Sequence, residues 1–120
     1  MFNFFDLKMI PTFLSRFKVE NVLIIGLSNE LIIKNIFSFC EDNNCSLCTI
    51  DSKIDGINLI KKYNISNDYI KKKLKSFIDD SLNILPNLKS FDAIFINDDP
   101  NWFTVYNELN IIKKTNPNFP

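Results

Sequence analysis

The 120-residue chain contains no histidine. That removes the side chain that most readily serves as a base near neutral pH and as a nitrogen ligand for a metal. Three cysteines, Cys40, Cys45 and Cys48, follow the order C-x4-C-x2-C. A structural zinc site wants a fourth ligand, so these read as small core residues and no metal site is expected. Glycine is almost as scarce, with Gly26 and Gly56 only. A G-x-G-x-x-G turn cannot be built from them, which excludes NAD and FAD. Excess charge is also missing, because 14 basic residues balance 14 acidic ones. A polyanion is therefore not expected as the main partner, and nucleic acid is set aside. The lysines at 61, 62, 71, 72, 73 and 75 read as solvated faces of a helix and a loop. No apolar run reaches the roughly 18 residues of a membrane span. The N-terminal MFNFFDLKMIPTFL is cut by Asp6 and Lys8 and lacks a small-residue cleavage site, so no export signal is expected. A reduced, cytoplasmic setting follows, with no membrane partner.

What is present points to one globular domain: 46% hydrophobic residues against 23% charged. Residues 1–18 carry apolar side chains at mixed three- and four-residue spacing, broken by Pro11, which predicts a short N-terminal helical segment. Residues 22–26 (VLIIG) form a continuous β-rich run of the kind buried on both faces of a parallel sheet. Residues 29–40 return to helical spacing. Residues 46–51 (SLCTID) predict a second strand, 54–63 a helix, and 74–78 a third, weaker strand. A short helix over 81–88 is limited to about two turns by Pro86. Residues 92–96 predict the fourth strand and 102–114 the last helix. Strands alternating with helices predict a Rossmann-like three-layer α/β domain over 19–120 with a parallel sheet. About four strands are readable, and the turn-rich ending at 116–120 marks the sheet as incomplete, with its C-terminal strands missing. The fourth strand would then be an exposed, apolar edge that favours self-association.

In such a sheet the ligand site is assembled at the carboxyl ends of the strands. Gly26-Leu27-Ser28-Asn29, Asp51-Ser52-Lys53, Asp79-Asp80-Ser81 and Asn97-Asp98-Asp99-Pro100 stand at those ends. A glycine at the first turn, followed about 20 to 25 residues later by an acid, is a nucleotide-binding arrangement. The glycine lets the backbone approach the ligand, and Asp51 would accept hydrogen bonds from ribose hydroxyls. A ligand with a ribose and no diphosphate suits a chain with one glycine there. The bland alternatives are a tight strand-to-helix turn at Gly26 and a helix cap or solvated loop acid at Asp51.

The order VLIIG, TID, DDSLNILPNL and FDAIFINDDPNWFTVYNEL resembles class I S-adenosylmethionine-dependent methyltransferases, in particular the branch with a DGDH motif. The resemblance covers about residues 20–114, and its last block is the most specific. It implies that Gly26 and Ser28 face the methionine part of S-adenosyl-L-methionine and that Asp51 holds the ribose. Asp80 and Ser81 would lie by the adenine. Asn97 would lie by the sulfonium and the substrate, with Asp99 as the catalytic residue. The acceptor implied is a small molecule or glycan precursor. In this sequence the motif's histidine is Pro100, its glycine is Asp98, and the second and third glycines of the first turn are Ser28 and Glu30. Metal-dependent relatives carry an aspartate where this chain has Asn97, which could offer only a neutral oxygen.

Trp102 and Tyr106 share a helix face and read as core packing or as an acceptor-pocket wall. The reading that follows is a methyltransferase-like protein. The alternative is a non-catalytic remnant that acts as a binding or interaction module. A receiver-like domain fits poorly, because its paired acids would follow the first strand, where Gly26-Leu27-Ser28 stands.

Overall fold

Val22, Leu23, Ile24 and Ile25 have no polar face to offer, and the fold gives them none to find. In the computed structural model, which describes residues 19–88, 91–96 and 102–115 (side chains in the last stretch from Asn107 to Lys114), all four are 1% exposed or less. They form β1 (Asn21–Ile25), which lies between β2 (Ser46–Asp51) and β4 (Ala93–Ile96); β3 (Leu74–Ile78) flanks β2. Every pairing is parallel and the order is β3-β2-β1-β4. The expected α/β Rossmann-like architecture with four parallel strands is what the chain adopts. The predicted helical segment at 1–18 and the ending at 116–120 lie outside the described residues.

Because side chains alternate across a strand, β1 feeds two cores. Val22 and Ile24, with Leu47 of β2, pack beneath α1 (Glu30–Asp42), α2 (Gly56–Lys61) and α3 (Asn67–Lys73). Leu23 and Ile25, with Cys48 and Ile50, face Leu85 and Ile112 on the other side. Ile112 belongs to α5 (Trp102–Thr115), and Leu85 opens a 3₁₀ turn after α4 (Ser81–Ile84). That turn contains Pro86, which keeps this stretch as short as the sequence predicts. α1 presents Ile33, Ile36, Phe37 and Cys40 at three- and four-residue spacing, so one stripe faces the sheet.

Two elements differ from the sequence expectation. The helix expected over 54–63 is confined to 56–61, because Asp55 caps it by accepting from Ile57 N at 2.9 Å. Asn64 then takes a left-handed conformation (φ 58) that stops it. α3 is an element the hydrophobic period does not announce. Its signals are electrostatic: Ser66 Oγ accepts from Tyr69 N at 3.1 Å, Asp68 stands in the first turn, and Lys71, Lys72 and Lys73 stand in the last. Each complements the helix dipole. Glu41 at the end of α1 also accepts from Ser66 N at 2.7 Å, which docks α3 against α1.

Gly56 is fixed by proximity. Its amide donates to Ser76 Oγ of β3 at 3.0 Å. A Cβ added there would fall within contact distance of Thr49 Oγ1 and 2.9 Å from Ser76 Oγ. Thr49 and Ser76 are register partners, so α2 rests its first turn directly on two strands. Gly56→Ala should lower the unfolding free energy by about 1–3 kcal/mol through overpacking, measured by urea denaturation. Thr49→Ala in the same chain should recover part of that loss by removing the nearest obstacle. A Gly56→Ala chain as stable as the parent would refute the close approach.

Candidate functional site

The parallel register brings the carboxyl ends of all four strands to one edge of the sheet. The chain steps from β1 outward to β2 and β3, then returns to the far side of β1 as β4. The boundary between β1 and β4 is therefore the point where the winding reverses, and open α/β sheets bind ligands at such a point.

The loop after β1 forms one wall. Gly26 is buried, continues the ladder by donating to Ile50 O at 2.8 Å, and has φ 93. Residues with a Cβ rarely adopt that conformation, so this position requires glycine. Leu27 turns inward at 1% exposure, whereas Ser28 and Asn29 are exposed. Asn29 caps α1 by accepting from Ile32 N at 3.3 Å.

Asp51, half-buried at the end of β2, sits against this loop. Its Oδ2 accepts from Leu27 N at 2.8 Å, across 24 residues of sequence. Its Oδ1 accepts from Lys53 N at 2.8 Å and from Ile54 N at 2.9 Å. An ionised carboxylate offers about four lone-pair positions, so one remains, on Oδ2. The bland readings of this residue are a helix cap or a solvated loop acid. The structure makes it neither: Asp51 is a clasp between two loops.

The third strand end is built in the same way. Asp79 N donates to Asp51 O at 3.1 Å, and Asp79 Oδ1 accepts from Asp80 N at 2.6 Å and Asn83 Nδ2 at 3.1 Å. Asp80 is exposed and caps α4 through Leu82 N at 2.9 Å. Ser81 points the other way. It is buried, and its hydroxyl donates to Glu108 Oε2 of α5, a carboxylate with no exposed surface. The geometry thus gathers Gly26, Ser28, Asp51 and Asp80 along one edge, and Ser81 joins α4 to α5 beneath it. Asn97 and Asp99, and the side chains of Trp102 and Tyr106, lie outside the described residues.

Sequence reasoning missed two participants. The Leu27 amide leaves no trace in a sequence, because any residue supplies one. Glu108 does leave a trace: it stands four residues before Ile112, on the helical stripe that α5 turns to the core. A carboxylate in that position needs a buried donor, and Ser81 is that donor.

The clasp has a checkable consequence. In Asp51→Asn the amide can keep its oxygen on Lys53 N and Ile54 N, which leaves its NH2 facing the Leu27 N–H, donor to donor. Hydrogen exchange at Leu27 should then accelerate by about tenfold or more, the loss of one charge-assisted bond, while Lys53 and Ile54 stay protected. Unchanged exchange at Leu27 would show that Asp51 does not hold the loop.

The sequence matches no protein-family model and no curated protein. Solved structures do resemble the fold. The structure of "a putative caffeoyl-CoA O-methyltransferase from Staphylococcus aureus" superposes with a TM-score of 0.63 at 18% identity, over 92% of this chain and 51% of that one. The O-methyltransferase TomG from Streptomyces achromogenes, involved in tomaymycin synthesis and solved in complex with SAM, gives a TM-score of 0.56 at 15% identity. That match covers 88% of this chain and 50% of TomG. This chain spans about half the length of both structures. Among the described residues, no helix is long and apolar enough to cross a membrane. At these identities the likeness is one of architecture: the chain has the Rossmann-like fold found in O-methyltransferases.

Proposed function

We propose that this chain binds S-adenosyl-L-methionine at the β1–β4 crevice and serves methyl transfer to a small-molecule or carbohydrate-related acceptor, as in the DGDH-motif branch. The observation that carries this reading is the Gly26–Asp51 pair. A left-handed glycine and a carboxylate at adjacent strand ends are joined by one hydrogen bond through Leu27 N. The same winding occurs in a methyltransferase solved with SAM.

The residues present suit the group in specific ways. Gly26 has no side chain on the wall, so a ligand can lie against backbone there. Ser28 is exposed beside it and would flank the methionine part of the cofactor. The remaining lone pair of Asp51 would accept one ribose hydroxyl. Asp80 would stand by the adenine, and Ser81 would keep that corner in place through Glu108. A bound sulfonium supplies an already activated methyl group, so positioning supplies much of the rate. By the resemblance, Asn97 would stand by the cofactor, and Asp99 would accept the proton of an acceptor hydroxyl.

Isothermal titration of the full chain with S-adenosylhomocysteine tests this reading. Binding is expected, weakened about 10- to 100-fold in Asp51→Asn by loss of a hydrogen bond to a charged group. An unchanged affinity in that variant would remove Asp51 from the ribose position. Absence of binding at millimolar ligand, with the far-ultraviolet spectrum of a folded α/β chain, would overturn the reading as a whole.

A further inference from the structure

Two of the hydrogen bonds at the end of α1 define its cap. Cys45 N donates to Cys40 O at 2.8 Å and Asn44 N to Glu41 O at 3.2 Å, with Asn44 in the left-handed region at φ 55. This pattern is the Schellman cap, in which the side chains at its first and last positions meet. Here both of those residues are cysteine. The Cys40 and Cys45 thiols are close enough to interact, and Cys45 Sγ donates to Val19 O at 3.1 Å. Both are free and buried. Standard backbone lengths on either side of the Cys45 N to Cys40 O bond put the two Cα atoms no more than about 6.7 Å apart. A disulfide spans about 4.4–6.8 Å between Cα atoms.

The two thiols differ. Interaction with the Cys45 thiol and then burial push the Cys40 thiol up. The same interaction pulls the Cys45 thiol down against the opposing effect of burial. Beside Cys45, Tyr69 Oη donates to its carbonyl at 2.5 Å, and the neighbouring Asn44 and Tyr69 line a groove of about 380 Å³. Cys48 belongs to the opposite face of the sheet, and burial pushes its thiol up to about 12.

We propose that Cys40 and Cys45 form a site of reversible oxidation, closing to a disulfide across the end of α1 when hydrogen peroxide is present. The Cys45 thiolate attacks the peroxide oxygen, an S–O bond forms, the O–O bond breaks, and the departing hydroxide takes up a proton as water. The Cys40 sulfur then attacks the Cys45 sulfenic acid. An S–S bond forms, the S–O bond breaks, and the hydroxyl leaves with the Cys40 proton as a second water. The two thiols together give up two electrons, which the peroxide accepts. A dithiol reductant reverses the reaction by exchange.

The test treats the folded full chain with hydrogen peroxide, unfolds it, alkylates it and weighs it. Two thiols should be lost without gain of oxygen, Cys48 alone should be alkylated, and dithiothreitol should restore all three. Cleavage after Glu41 separates the two cysteines in sequence, so the fragments should stay joined until reduced. Cys48→Ala should behave as the parent. Cys40→Ala should halt with Cys45 as a sulfenic acid, captured by a dione probe. Should Cys40→Ala not fold, the parent and Cys48→Ala decide the matter on their own. Three alkylatable thiols after a dose that closes a dithiol peptide would overturn the proposal. So would a bond to Cys48, or a sulfinic acid at Cys45 in the parent.

Discussion

Everything in this fold hangs on one strand that has no polar side. β1 contributes Val22 and Ile24 to one core and Leu23 and Ile25 to the other, so its hydrophobic pattern alone fixes its register weakly. The ends supply what the middle cannot. At the start of β1, Asp92 Oδ2 accepts from Glu20 N at 2.8 Å and Asn21 N at 2.9 Å, and Asp92 N returns a bond to Asn21 O. At its far end, Asp51 accepts from Leu27 N. Carboxylates at the end of β2 and just before β4 thus grip the amides just outside the apolar run. A shift by one residue would leave those amides and carboxylates mismatched.

The same clasp ties the carboxyl edge of the sheet together. Asp51 is bonded to loops on both sides, and Asp79 N bonds to the Asp51 carbonyl. Three strand ends are therefore linked through one residue. If the carboxylate releases the β1 loop, the wall of the crevice and the connection leading to α1 loosen together.

The strands were legible because each is an apolar or β-branched run bounded by turn residues; β2 and β3 occupy the expected positions. That they run parallel also followed from the alternation with helices, since parallel strands need crossovers; their order in the sheet did not. α3 was not legible by period: a seven-residue helix with only Tyr69 and Ile70 buried shows no stripe. Its caps and charge polarity carried the information instead. At the site, Gly26 and Asp51 could be named from type and spacing. What could not be read was the use of Asp51's lone pairs, because the amides that occupy them are common to all sequences. Ser81 shows the opposite case. Its place at a strand end pointed toward ligand, but a buried carboxylate 27 residues away claims its hydroxyl.

The helix starts narrow the ligand class further. Helix amides at strand ends often serve phosphate groups. In this chain four helices bring their own acceptors: Asn29 for α1, Asp55 for α2, Ser66 for α3 and Asp80 for α4. A diphosphate at α1 would compete with the Asn29 side chain for Ile32 N, and at α4 it would meet the charge of Asp80. Only one glycine relieves the β1 turn, so the backbone can approach a ligand closely at a single point. Under the proposed function, these features suit a ligand that offers hydroxyls to Asp51 and carries positive rather than negative charge near the acids. A nucleoside attached to a sulfonium has that polarity, and a dinucleotide does not.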